Sequence, residues 1–90
     1  MIKRTFKITS EAGVHARPAT ILVNTAMDFA CDITLTALKQ TVDFKSIMGV
    51  MSLGVYKGTS IDVTCDGDDE TQAMKAITEK IYELNLGMEI

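Results

Sequence analysis

The 90 residues include 12 acidic and 9 basic side chains, for a formal charge of -3, and 47% of them are apolar. That length supports one domain with one core, and that balance is typical of a folded globular chain. The acidic total argues against direct nucleic-acid binding, which rests on phosphate neutralisation by a basic surface, and no apolar run reaches the ~20 residues that span a bilayer. The opening "MIKRTFKITSEAG" has no apolar core of a secretory signal. Cys31 and Cys65 are too far apart for a CxxC pair and are expected to be reduced thiols, Cys65 partly in the core. The chain therefore reads as cytoplasmic.

In chain order, "IKRTFKI" alternates at period two, with Ile2, Phe6 and Ile8 on one face and Arg4 as the exception. From Ala16 to about Met27, the residues Ala19, Leu22, Val23, Ala26 and Met27 recur at helical spacing. "DITLTA" and "TVDF" alternate again. The "ALKQ" between them lacks the Asn-Gly or Asp-Gly of a tight hairpin, which leaves its geometry open. Ser46 to Gly54 reads as a short helix opened by a capping serine and stopped near a glycine. "SIDVTC" is a fourth strand. Glu70 to Leu84 is a last helix, with Ala73, Ile77, Ile81 and Leu84 on its apolar face. Strands with one wet face belong to an antiparallel sheet covered on one side. The expected fold is thus α+β, a two-layer open-faced sandwich of four strands with three helices on one face, in the order βαββαβα.

The stretch "GVHARPAT", Gly13 to Thr20, holds the only histidine and the only proline. Proline is tolerated in a first helical turn, where the N–H it lacks has no intrahelical partner. Pro18 therefore places the helix start near Ala16 and leaves His15 at the N-cap. The free amides of Ala16 and Arg17 make an anion site there, and the same field disfavours an imidazolium. Arg17 adds a planar cation suited to phosphate oxygens, while Gly13 and Ala16 leave room for a bulky oxyanion. These residues fit an imidazole that attacks a phosphoryl group. They fit nearly as well a histidine that serves only as a cap.

"FKSIMGVMSLG" puts Ile47, Met48, Val50, Met51 and Leu53 on more than one side of a helix too short to bury them all. Flexible methionines at an exposed patch suit a surface that meets several partners, although Met48 and Met51 could equally fill the core. Ser46 has a plain role as helix cap. A phosphoryl group there would sit at a helix N-terminus beside Lys45 and place about two negative charges by the apolar patch. "DGDDE", Asp66 to Glu70, lacks the alternate spacing of an EF-hand loop and reads as a solvated helix start. His15, Cys31 and Cys65 do not have zinc-ligand spacing. No metal or cofactor is expected.

Taken together, "GVHARPAT", "FKSIMGVMSLG" and "CDGDDETQA" resemble the histidine-containing phosphocarrier proteins, HPr, of the phosphoenolpyruvate-dependent sugar phosphotransferase system. The likeness covers essentially the whole chain. It implies that enzyme I phosphorylates His15 on Nδ1 and that the group passes to a sugar-specific enzyme IIA. Ala16 and Arg17 would hold the phosphoryl group, and Ile47, Met48, Met51 and Thr20 would dock partners. The form with "KSIMG", seen in low-GC Gram-positive bacteria, implies regulatory phosphorylation of Ser46 by an HPr kinase/phosphorylase and action with the catabolite control protein. A monomer is expected. Family members often carry a small polar residue where this chain has Ala12, which leaves only backbone at that place. The alternative is a purely regulatory module acting through Ser46 and docking alone.

Overall fold

A computed structural model describes residues 1–90. The chain runs β1 (Ile2–Ile8), α1 (Ala16–Met27), β2 (Asp32–Ala37), β3 (Gln40–Asp43), α2 (Ile47–Ser52), β4 (Ser60–Asp66), α3 (Glu70–Glu83) and β5 (Gly87–Glu89). The strands form one antiparallel sheet in the order β3-β2-β4-β1-β5. No helix is long and apolar enough to cross a membrane.

The alternation of the strands decides which face is covered. Phe6 and Ile8 of β1, Ile33 and Leu35 of β2, and Ile61, Val63 and Cys65 of β4 are all buried. Leu22, Val23 and Ala26 of α1 and Met74, Ile77 and Ile81 of α3 close over them. The opposite face is polar, with Thr5 donating to Asp62 at 2.6 Å and Thr36 meeting Thr41 at 2.8 Å. A single apolar layer between sheet and helices is the main source of stability, since each fully buried large aliphatic side chain contributes roughly 1.5–3 kcal/mol.

Several expectations are corrected. The sheet has five strands rather than four, because the residues after α3 turn back along β1. Asn85, at φ 51°, makes that reversal, and Leu86 donates its amide to the Ile81 carbonyl at 3.0 Å. Met27 lies on the exposed side of the last turn of α1, whereas Met74, outside the expected stripe of α3, is buried. Arg4, the expected exception on the face of Phe6, stands exposed, its guanidinium 4.0 Å from Glu89. The β2–β3 hairpin turns through Leu38 (φ 52°) and Lys39 (φ 66°) between the paired Ala37 and Gln40. Two consecutive residues at positive φ is the pattern of a type I′ turn, here made without glycine or asparagine.

Candidate functional site

His15 caps α1 with extended backbone, φ -89° and ψ -175°, and its carbonyl accepts the Ala19 amide at 3.0 Å. Its side chain makes no capping hydrogen bond. The imidazole is exposed, and so are Ala16 and Arg17. Because Pro18 has no N–H and Ala19 donates to His15, the first-turn amides without a helical partner are those of Ala16 and Arg17. Their donors and the partial positive charge of the helix terminus lie at the residues directly after the one that carries the imidazole. Arg17 is absent from every ion pair of the molecule, leaving its guanidinium free for an incoming oxyanion. Thr20, one turn on, is half-buried and donates to the Ala16 carbonyl at 2.8 Å, which steadies the first turn.

The segment before His15 is positioned by a loop that shows no periodicity in the sequence. Gly13 is buried at φ 65°, and a Cβ there would overlap the Val55 carbonyl oxygen and stand 2.9 Å from the Tyr56 Cα. The next residue, Val14, donates its amide to that same Val55 carbonyl at 3.0 Å. Gly13 therefore does more than leave space: it lets two backbones touch, so that the loop after α2 anchors the approach to His15. Val55 and Tyr56 were not singled out by the sequence reading. A glycine two residues before a candidate nucleophile was the available signal, but it does not name the backbone it touches.

No concave pocket opens anywhere on the molecule. The exposed apolar side chains gather instead on α2. Val50 of α2 and Leu53 just after it are buried, while Met48 is 80% exposed, Met51 42% and Ile47 38%. A helix of six residues has one inner face, so the remaining apolar side chains have nowhere to go. α2 packs against α1 and β3, which lays this patch beside the helix that His15 caps. Met27 at the end of α1 and Tyr56 on the loop after α2 are exposed as well.

Ser46 belongs to a different cluster. Its hydroxyl accepts the Gly49 amide at 3.0 Å, capping α2 as expected. Lys45 was expected beside Ser46. Its ammonium instead donates to the carbonyls of Phe29 at 2.7 Å and Cys31 at 2.8 Å. Those residues follow the far end of α1, about 18 Å along its axis from His15. The Asp69 carboxylate grips the same segment from the other side, accepting the amides of Ala30 at 2.8 Å and Cys31 at 2.9 Å. The Ala30 amide, with the Cys31 thiol and amide, holds the Asp69 carboxyl below the usual aspartate range against an opposing desolvation. Burial pushes the Cys31 thiol up, and burial with the neighbouring Cys31 thiol pushes Cys65 up to about 11. Both cysteines are buried and unbonded, and thiols kept protonated in this way are poor nucleophiles. No group of three or more His, Cys, Asp or Glu side chains is placed to hold a metal ion.

Comparison with known proteins agrees with this geometry. Residues 2–83 match a family described as the PTS HPr component phosphorylation site. The histidine-containing phosphocarrier protein of Mycoplasma is 37% identical, with a TM-score of 0.94 over 96% of this chain and 98% of the other. HPr from Thermoanaerobacter tengcongensis is 41% identical, with a TM-score of 0.87 over 92% and 93% of the two chains. Crh, the catabolite repression protein of Bacillus subtilis, crystallised as a swapped dimer, is 35% identical with a TM-score of 0.72 over 86% and 88%. The family match over residues 2–83, with relatives 37% and 41% identical over more than nine-tenths of the chain, places this protein in the HPr phosphocarrier family of the phosphotransferase system.

Proposed function

We propose that this chain carries phosphoryl groups on His15 between enzyme I and the sugar-specific enzyme IIA proteins, in the cytoplasm and as a monomer. The observation that carries the proposal is the exposed imidazole at the cap of α1, with the Ala16 and Arg17 amides free beside it and Arg17 unpaired. The Nδ1 lone pair attacks phosphorus in line as the bond from phosphorus to the histidine nitrogen of enzyme I breaks. Nε2 keeps its proton, and the reverse geometry delivers the group to enzyme IIA. Such a transfer depends on positioning and charge stabilisation, which two amides and a guanidinium supply without metal or pocket. Ile47, Met48, Met51 and Thr20 form the docking surface, because an apolar patch next to an exposed nucleophile brings two imidazoles into line.

Incubation with enzyme I and labelled phosphoenolpyruvate should give an acid-labile, base-stable phosphate, with none on His15→Ala. Equal labelling of both proteins would overturn the assignment of His15.

A second activity rests on Ser46. Its hydroxyl faces the first turn of α2, next to the patch of Ile47, Met48 and Met51. Phosphorylation by an HPr kinase/phosphorylase would add about two negative charges there, weakening docking by enzyme I and creating a surface for the catabolite control protein. The commitment of Lys45 to Phe29 and Cys31 leaves that new charge exposed to a partner rather than neutralised within the chain. Kinase and ATP should label the parent and leave Ser46→Ala unlabelled, and labelling of both alike would remove Ser46 from the mechanism. A chain acting through Ser46 alone would take no phosphate from enzyme I, so the two assays separate carrier from pure regulator.

A further inference from the structure

We infer that the outer edge of β1 is a strand-addition site for an acidic extended peptide, held in the free protein by the chain's own β5. The edge is basic and only partly covered. β1 spans Ile2–Ile8, but β5 pairs with Phe6, Lys7 and Ile8 alone. Lys3 and Arg4 are exposed beyond it, and Lys7 is exposed within it. Along this edge the main chain of every second residue points outward, and those groups are met by the tail: Thr5 accepts the Ile90 amide at 3.0 Å, and Thr9 donates to the Leu86 carbonyl at 2.9 Å.

β5 is bound in the manner of a weak peptide ligand. Of its residues only Gly87 is buried, and it has no side chain to contribute; Met88 is 51% exposed and the following Ile90 65%. What remains is a short ladder, the Glu89–Arg4 pair at 4.0 Å, and the Tyr82 hydroxyl, which accepts the outward Glu89 amide at 2.9 Å. A segment held by main-chain bonds at the chain end, with little apolar burial, opens far below the global unfolding free energy. The edge it uncovers has a built-in chemical preference. Pairing β1 with β1 of another copy would set Lys3, Arg4 and Lys7 against their like, which is destabilising. An extended segment with a carboxylate in the place of Glu89 would repeat the Glu89–Arg4 contact, and carboxylates at neighbouring positions, on the other face of the sheet, would meet Lys7 and Lys3, while its backbone takes over the hydrogen bonds of β5.

The test uses Gly87→Val in the full chain. A Cβ at Gly87 would overlap the Lys7 carbonyl oxygen, so this variant detaches β5 and leaves the rest of the sheet intact. The probe is a synthetic peptide, Leu-Gly-Met-Glu-Ile, followed through the amide shifts of Lys3, Thr5 and Lys7. The variant should bind it at least about tenfold more tightly than the parent does, and a peptide with lysine in place of the glutamate should not bind. In the parent, the Met88 and Ile90 amides should exchange with solvent far faster than those of Phe6 and Val63. The inference is overturned by equal protection of all four amides, by a detached β5 with no peptide binding, by equal binding of the lysine peptide, or by self-association of the variant. If Gly87→Val fails to fold, Glu89→Lys, which removes the Arg4 pair and no backbone contact, is read in the same way.

Discussion

Replacing Gly13 by alanine tests how the site is held. At φ 65° an L side chain is disfavoured by about 1 kcal/mol relative to glycine. The added Cβ also overlaps the Val55 carbonyl oxygen and lies 2.9 Å from the Tyr56 Cα, both of them backbone, so relief requires the two segments to separate. Separation loses the bond from Val14 to Val55, 3.0 Å long in the parent, at a net loss of about 1 kcal/mol. Steric strain not relieved by that movement brings the total to about 2–3 kcal/mol. Native domains have only about 5–15 kcal/mol in hand. For a chain of this size the midpoint should fall by about 10–15 °C, with the urea m-value unchanged because the core is untouched. The rate of phosphorylation by enzyme I should fall as well, since the cap residue loses its fixed approach. A Gly13→Ala variant within about 0.5 kcal/mol of the parent, a change typical of surface sites, would refute the claim that the loop after α2 clamps this segment.

Lys45→Met should destabilise the fold by about 2 kcal/mol, because two partly buried carbonyls lose a charged donor while the apolar stem is kept; urea unfolding measures it, and no change would mean that water serves Phe29 and Cys31 equally well. The hairpin should respond in the opposite direction. Leu38→Asn with Lys39→Gly removes two side chains from positive φ and should stabilise by about 1 kcal/mol, read from the same curves. The lowered Asp69 pKa means that the unfolded chain takes up a proton before the native one does as acid is added. The Asp69 contribution is therefore complete above the usual aspartate range and is lost as pH falls through the lowered native value. Parent and Asp69→Asn should differ in stability at neutral pH and converge in acid, and a constant difference across the titration would contradict the assigned cause.

How much of this was legible in the sequence varies with the kind of interaction. Period-two and period-3.6 patterns report burial, so four strands, three helices and the core face of each could be read directly. His15 at the cap and Ser46 at the start of α2 followed from local rules for proline and serine. Features made by contact between distant backbones could not be read. β5 carries one glycine, one exposed methionine and one acid, too short a run to show periodicity, and its pairing with β1 depends on the reversal at Asn85. Gly13 could be seen as small, but its contact with Val55 joins segments some forty residues apart. Lys45 was placed beside Ser46 by its sequence neighbours, whereas its long side chain reaches two carbonyls of the α1–β2 connection. Met27 shows the limit of periodicity itself: it keeps the helical spacing, yet α1 ends there with nothing above it to bury the side chain.

The most direct measurement of how His15 works follows the 15N and amide 1H resonances of the intact protein while enzyme I and phosphoenolpyruvate are added. Phosphate should appear on Nδ1 of His15, and the amide protons of Ala16 and Arg17 should move downfield as they bond to its oxygens, ahead of every other amide in the chain. Phosphate on another residue, or a phosphorylated His15 with the Ala16 and Arg17 amides unmoved, would contradict a carrier built on the N-terminus of α1.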